Sequence, residues 1–207
     1  QSNIAAGATI GSNHNSRSPD GEIIAGRGFW PGLCSDFKHN SHFASFTLAS
    51  KGSYQHELDV QYPFALLLPG DTANSPVHII PAWWFMYDMF AIVRNNYKFK
   101  KRDKRVVKIQ NIETNPFAPD TMQETLKAVK KIIELTAANL SQLDASYVNE
   151  NDSPDSLRQS AKDFLHNTKN EKFTLFDVQS QKKHGAIIYK PLKAYKVYRQ
   201  VLKYFAV

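Results

Sequence analysis

At 207 residues, with 42% hydrophobic and 22% charged side chains, the chain is long enough to bury a core and too apolar to be disordered. Twenty-six Lys and Arg against nineteen Asp and Glu give a net charge of +7, a balance that favours phosphates, nucleotides or nucleic acid as partners. The single cysteine, Cys34, excludes an internal disulfide and a Cys-rich zinc site, and no apolar run reaches the length of a membrane span, which together point to the cytoplasm.

The N-terminal region carries a six-residue rhythm. Ile4 and Ile10 each open a hexad of small and polar residues, and the rhythm resumes at Ile24 and Trp30. One aliphatic residue every six positions is the trace of stacked coils in a parallel β-helix, with those four side chains pointing inward. A Gly-rich irregular β segment is the alternative. Residues 16–22, centred on Pro19, Asp20 and Gly21, read as a loop extruded between hexads. The repeat is already running at Ile4 with no initiator Met ahead of it, so the chain is expected to be a fragment of a longer protein.

Alternating residues at 43–48 and 57–62, then the apolar run 64–68, predict strands, with 77–80 as a further short one. Residues 81–95 predict one helix with Pro81 in its first turn. It is apolar nearly all round, which destines it for the core or an interface, although Trp83, Trp84 and Tyr87 also suit the wall of a ligand pocket. The basic run 98–108 reads as a solvated face or, with its neighbouring rings, as a holder of phosphate. Thr121 and Glu124 have the spacing of a capping box and open a helix to 138 that packs Met122, Leu126, Val129 and Ile133. A polar loop at 140–154, a helix at 155–166 and strands at 173–178 and 185–189 follow. The amphipathic helix 191–205 turns Leu192, Tyr195, Tyr198, Leu202 and Phe205 inward. Two parts emerge: coils and flanking strands over 1–80, and a mixed, mostly helical C-terminal cap over 81–207.

Chemistry is expected in the first part. His14, His39 and His42 fall in the repeat, and imidazole is the commonest general base near neutral pH. His39 is the first choice as base and His14 the second, with Asn40 as an oxyanion donor. Lys38, Arg27, Arg17 and His42 are candidates to hold substrate phosphate. No zinc-protease spacing occurs, and no metal or bound cofactor is expected. Cys34 as a nucleophile and zinc on the histidines are weaker alternatives.

The hexads at Ile4 and Ile10 resemble the repeat of left-handed β-helix acyltransferases, the superfamily that includes UDP-sugar N-acyltransferases. More closely, the runs 20–23, 26–34, 38–41 and 43–48, with 102–105 beyond them, resemble a family of larger uncharacterised bacterial hexapeptide-repeat proteins. That resemblance implies a mainly β chain with a left-handed parallel β-helix followed by the mixed part, and homotrimers with sites between subunits. It also implies acyl transfer from acyl-CoA or acyl carrier protein to a sugar or nucleotide-sugar amine or hydroxyl, with a histidine as general base. The rival reading is a non-catalytic, trimerising or binding scaffold. Nucleic-acid binding through 98–108 is ranked last.

Overall fold

The computed structural model describes residues 2–10, 22–149 and 151–206. His14 and Arg17 lie outside the described residues, as does nearly all of the loop expected at 16–22.

Seven two-residue strands open the fold: β1 (Ile24–Ala25), β2 (Trp30–Pro31), β3 (Asp36–Phe37), β4 (His42–Phe43), β5 (Leu48–Ala49), β6 (Ser53–Tyr54) and β7 (Asp59–Val60). With β8 (Leu66–Leu68) they form three parallel ladders, β1-β4-β7, β2-β5-β8 and β3-β6, whose partners are 17 or 18 residues apart. From β2 onward the second residue of each pair turns inward, as strand alternation dictates, so Pro31, Phe37, Phe43 and Ala49 are buried. The hexad phase is therefore one residue later than the sequence suggests. Ile4 and Ile24, expected inside, are exposed. Aromatic packing fills the space between ladders, with Phe29 stacked on Phe43 at 4.5 Å and Phe37 on Tyr54 at 4.9 Å.

The same register stacks the turns. Gly28, Phe46 and Phe64 follow one another at the corner between the first two ladders, all in the left-handed region with φ of 73°, 58° and 57°. A Cβ on Gly28 would stand 2.4 Å from the Phe46 ring. Phe46 and Phe64 stack at 5.0 Å, a contact that offsets part of the ~1–2 kcal/mol that a left-handed backbone costs a residue with a side chain.

The ladder then meets antiparallel partners. Strand β9 (Val77–Ile80) pairs antiparallel with β8, β11 (Ala186–Ile188) pairs parallel with β9, and β10 (Leu175–Asp177) pairs antiparallel with β11. Helices supply the rest: α1 (Trp83–Tyr87), α2 (Met89–Arg102), α3 (Pro119–Ala138), α4 (Leu140–Leu143), α5 (Pro154–Asn167) and α6 (Pro191–Phe205). The expected class, mainly β with a left-handed parallel β-helix, is corrected by these elements. The chain is α/β, its sheets mix parallel and antiparallel pairs, and among the described residues six α-helices of up to 20 residues outweigh strands of two to four.

The larger of two apolar clusters runs from Phe29 through Ile132 to Tyr198, and the smaller joins Phe64, Trp84, Ile92 and Met122 among the described residues. Helix α6 is tied into the larger by the Tyr198 hydroxyl, which donates to the Pro63 carbonyl at 2.6 Å and accepts from the Ala82 amide at 3.0 Å. Helix α3 is pinned by a buried ion pair, Lys131 Nζ to Asp177 Oδ2 at 2.9 Å. Tyr62 and Ser180 donate their hydroxyls to that same oxygen, at 2.9 and 2.6 Å.

Candidate functional site

The helix expected over 81–95 is broken. Asp88, at φ −148° and ψ 47°, separates α1 from α2, and the buried residues of the two pieces, Trp84 from α1 and Ala91 and Ile92 from α2, meet in one apolar cluster. Trp84 turns onto the strands, where its ring stacks on Trp30 at 5.6 Å and 17°, and its Nε1 donates to the Phe46 carbonyl at 2.8 Å. Past the break, α2 continues seven residues beyond its predicted end and absorbs half of the basic run. A cavity of about 870 Å³ lies between these surfaces, within the roughly 300–1,000 Å³ typical of small-molecule sites.

Its composition is uneven. Trp30, Phe46, Trp84 and Phe99 contribute aromatic surface, while Arg94, Lys98, Arg102, Lys104 and Arg105 contribute positive charge. Among the described residues Asp103 is the one acid on the wall. Arg105 takes it as a two-point pair, at 2.8 Å to each carboxylate oxygen, and holds that carboxyl well below its usual range. Asn96 also lines the wall, and its Oδ1 is buried without a hydrogen-bond partner. A buried acceptor of that kind is rare in folded proteins.

The far wall, residues 112–116, is fixed by Arg27. Its guanidinium grips Asp120 at 2.6 and 2.8 Å and donates to the carbonyls of Glu113 and Asn115 at 3.4 and 3.1 Å. Arg27, a phosphate candidate in the sequence, is thus engaged in holding the wall and does not line the cavity. The expected capping box does not form either. Pro119 starts α3 two residues early, which puts Thr121 inside the helix, where its hydroxyl donates to the Pro116 and Ala118 carbonyls at 2.6 and 2.8 Å. Glu124 instead reaches the Ser45 amide at 2.8 Å, and burial raises its pKa.

His39 and Asn40 lie at a different corner, the turn between the third and first ladders, and do not line the cavity. They face Glu57. Lys182 Nζ binds that carboxylate at 2.8 Å, and with the Asn40 side chain and the His39 charge it holds Glu57 below the usual carboxylate range, Lys182 foremost. Lys38 is half-buried at the same turn, its amide donating to the Tyr54 carbonyl at 2.9 Å. His42 is exposed on β4, its Nδ1 4.0 Å from Asp59. The sequence did not single out Glu57 or Lys182, because Glu57 faces His39 from a later turn and Lys182 reaches Glu57 across a long separation in the chain. Among the described residues no three His, Cys, Asp or Glu side chains converge as metal ligands, and no helix is long and apolar enough to cross a membrane.

The chain is 42% identical over 208 aligned residues to a protein of Treponema pallidum (strain Nichols) described as an uncharacterized protein. The match covers 99% of this chain but 27% of that relative, so the chain spans about a quarter of the length of the protein it resembles. No family model matches the chain, and no solved structure matches it.

Proposed function

We propose that this protein binds a phosphorylated ligand carrying a planar ring, such as the nucleotide portion of a nucleotide sugar or of coenzyme A. One observation carries the reading: five cations, one of them paired with the single carboxylate among the described lining residues, surround a cavity that also presents a stacked tryptophan pair. Phosphate favours clustered Lys and Arg, and a base or other planar ring favours an aromatic face. A cytoplasmic setting, where such ligands are met, belongs to the same proposal. Titration with UDP, coenzyme A, uridine and pyrophosphate tests it. Both nucleotides are expected to bind more tightly than either fragment, with affinity falling as salt rises. Pyrophosphate binding as tightly as UDP would overturn the role of the rings.

A second reading, acyl transfer, is favoured by the Glu57 contacts of His39. A histidine beside a carboxylate is held in one orientation, which suits a base that removes a proton from a sugar amine or hydroxyl as it attacks a thioester carbonyl. Asn40 would then serve the oxyanion and the thiol would leave. Incubation with acetyl-CoA and an amino-sugar nucleotide, followed by free thiol, is expected to show release that His39→Ala abolishes while UDP binding persists. Equal release by the variant rules the reading out.

A further inference from the structure

Helix α2 has two apolar faces. Ile92 and Phe99 turn to the cavity, whereas Met89, Phe90, Val93 and Tyr97 occupy the other arc at helical spacing. All four are exposed, Phe90 to 71% and Val93 to 60%. Just beyond the helix, Val106 and Ile109 are 97% and 89% exposed. Isolated apolar side chains are normal on a surface, but a run of large ones in one stretch of chain marks an interaction site.

The charge around them indicates what the partner is. Residues 89–108 carry eight Lys and Arg against one acid, Asp103, and that acid is bound by Arg105. Lys100 and Lys101 flank the C-terminal end of the stripe and Lys108 stands between Val107 and Ile109, and none of the three lines the cavity. A second copy of this surface would bring the same excess of positive charge, so self-pairing is opposed. The stripe is the convex side of a helix with long cationic stems beside it, the arrangement of helices that lie in the plane of a membrane interface. We propose that the outer face of α2, with the segment 106–109, docks this protein peripherally onto an anionic lipid bilayer. Phe90, Val93 and Tyr97 enter the boundary between headgroups and acyl chains, and Lys100, Lys101 and Lys108 meet lipid phosphates.

Vesicle flotation tests it, with equimolar phosphatidylglycerol and phosphatidylcholine against phosphatidylcholine alone. Binding is expected to the anionic vesicles only and to weaken with salt. A Phe90→Asp/Val93→Asp double variant should bind those vesicles about tenfold or more weakly, while keeping its unfolding midpoint and its UDP affinity, which separates lipid docking from the cavity reading. Lys100→Glu/Lys101→Glu should weaken binding and flatten its salt dependence. Three results overturn the proposal: equal binding to both vesicle types, unchanged binding by the Phe90/Val93 variant, or no vesicle binding alongside self-association that the same variant abolishes.

Discussion

Asp177→Ala is expected to destabilise the protein by about 3–5 kcal/mol, the cost of removing one partner of a buried ion pair. Asp177 and Lys131 are both buried, and the carboxylate also serves Tyr62, Ser180 and the Gln179 amide. Truncation leaves the Lys131 ammonium with only long contacts to Gln61 and Gln179, at 3.4 and 3.3 Å. A single domain is held by roughly 5–15 kcal/mol, so a loss of this size takes about a fifth or more of the total. Chemical denaturation at pH 7 measures it. The apolar double variant Lys131→Met/Asp177→Leu should recover much of the loss, because it removes the charge that truncation strands. A single-variant cost below about 1 kcal/mol would show that water reaches the pair and screens it.

The second large effect concerns the ring half of the cavity. Trp30 is half-buried, and its removal leaves Trp84 in place. Loss of one stacking partner is worth about 1–3 kcal/mol per base, so Trp30→Ala should weaken UDP binding by roughly 5- to 150-fold. Pyrophosphate binding should be nearly unchanged. Lys98→Glu/Arg102→Glu should instead weaken both probes. Calorimetric titration separates the two patterns, and a Trp30→Ala variant that loses UDP and pyrophosphate equally would mean that the tryptophan shapes the cation cluster and does not stack on the ligand.

How much of this was legible in the chain differs from element to element. Helix α6 runs over 191–205 as its amphipathic period predicts, although Phe205 at its end is exposed. Strand β9 matches its apolar run. The six-residue rhythm was visible but misphased, because Ile24 and Trp30 look like core residues and the true inward positions, Pro31, Phe37, Phe43 and Ala49, mix side-chain sizes that no hydrophobic period marks. The interruption at Asp88 was hidden inside a uniformly apolar run. Half of the lining falls in segments the sequence had marked: Trp84, without its companions Trp83 and Tyr87, and Lys98, Arg102, Lys104 and Arg105 of the basic run. The other half was not marked, since Gly28, Trp30 and Phe46 reach it only through an 18-residue stacking register, and Arg94 carries no local signal at all. His39 had neighbours in sequence that suggested chemistry, yet the carboxylate it faces, Glu57, and the Lys182 that binds that carboxylate come from later in the chain.

The antiparallel partners also set where this architecture can grow. The last rows of two ladders are already occupied: β8 by β9 running the other way, and the Glu57–Asp59 segment by residues 180–182, through Asp59 N to Ser180 O at 3.0 Å and Lys182 N to Glu57 O at 2.9 Å. Bare strand edges recruit further strands, including those of other molecules. Here the polar backbone groups at the ends of those two ladders are consumed within the chain. A duplicated 18-residue unit is therefore accommodated only ahead of β7 and β8, in step with the existing rows, and one inserted after them would have to displace the cap. Sequence variants that lengthen the repeat should accordingly place their extra copies before residue 59, leaving the terminating rows and the helices behind them untouched.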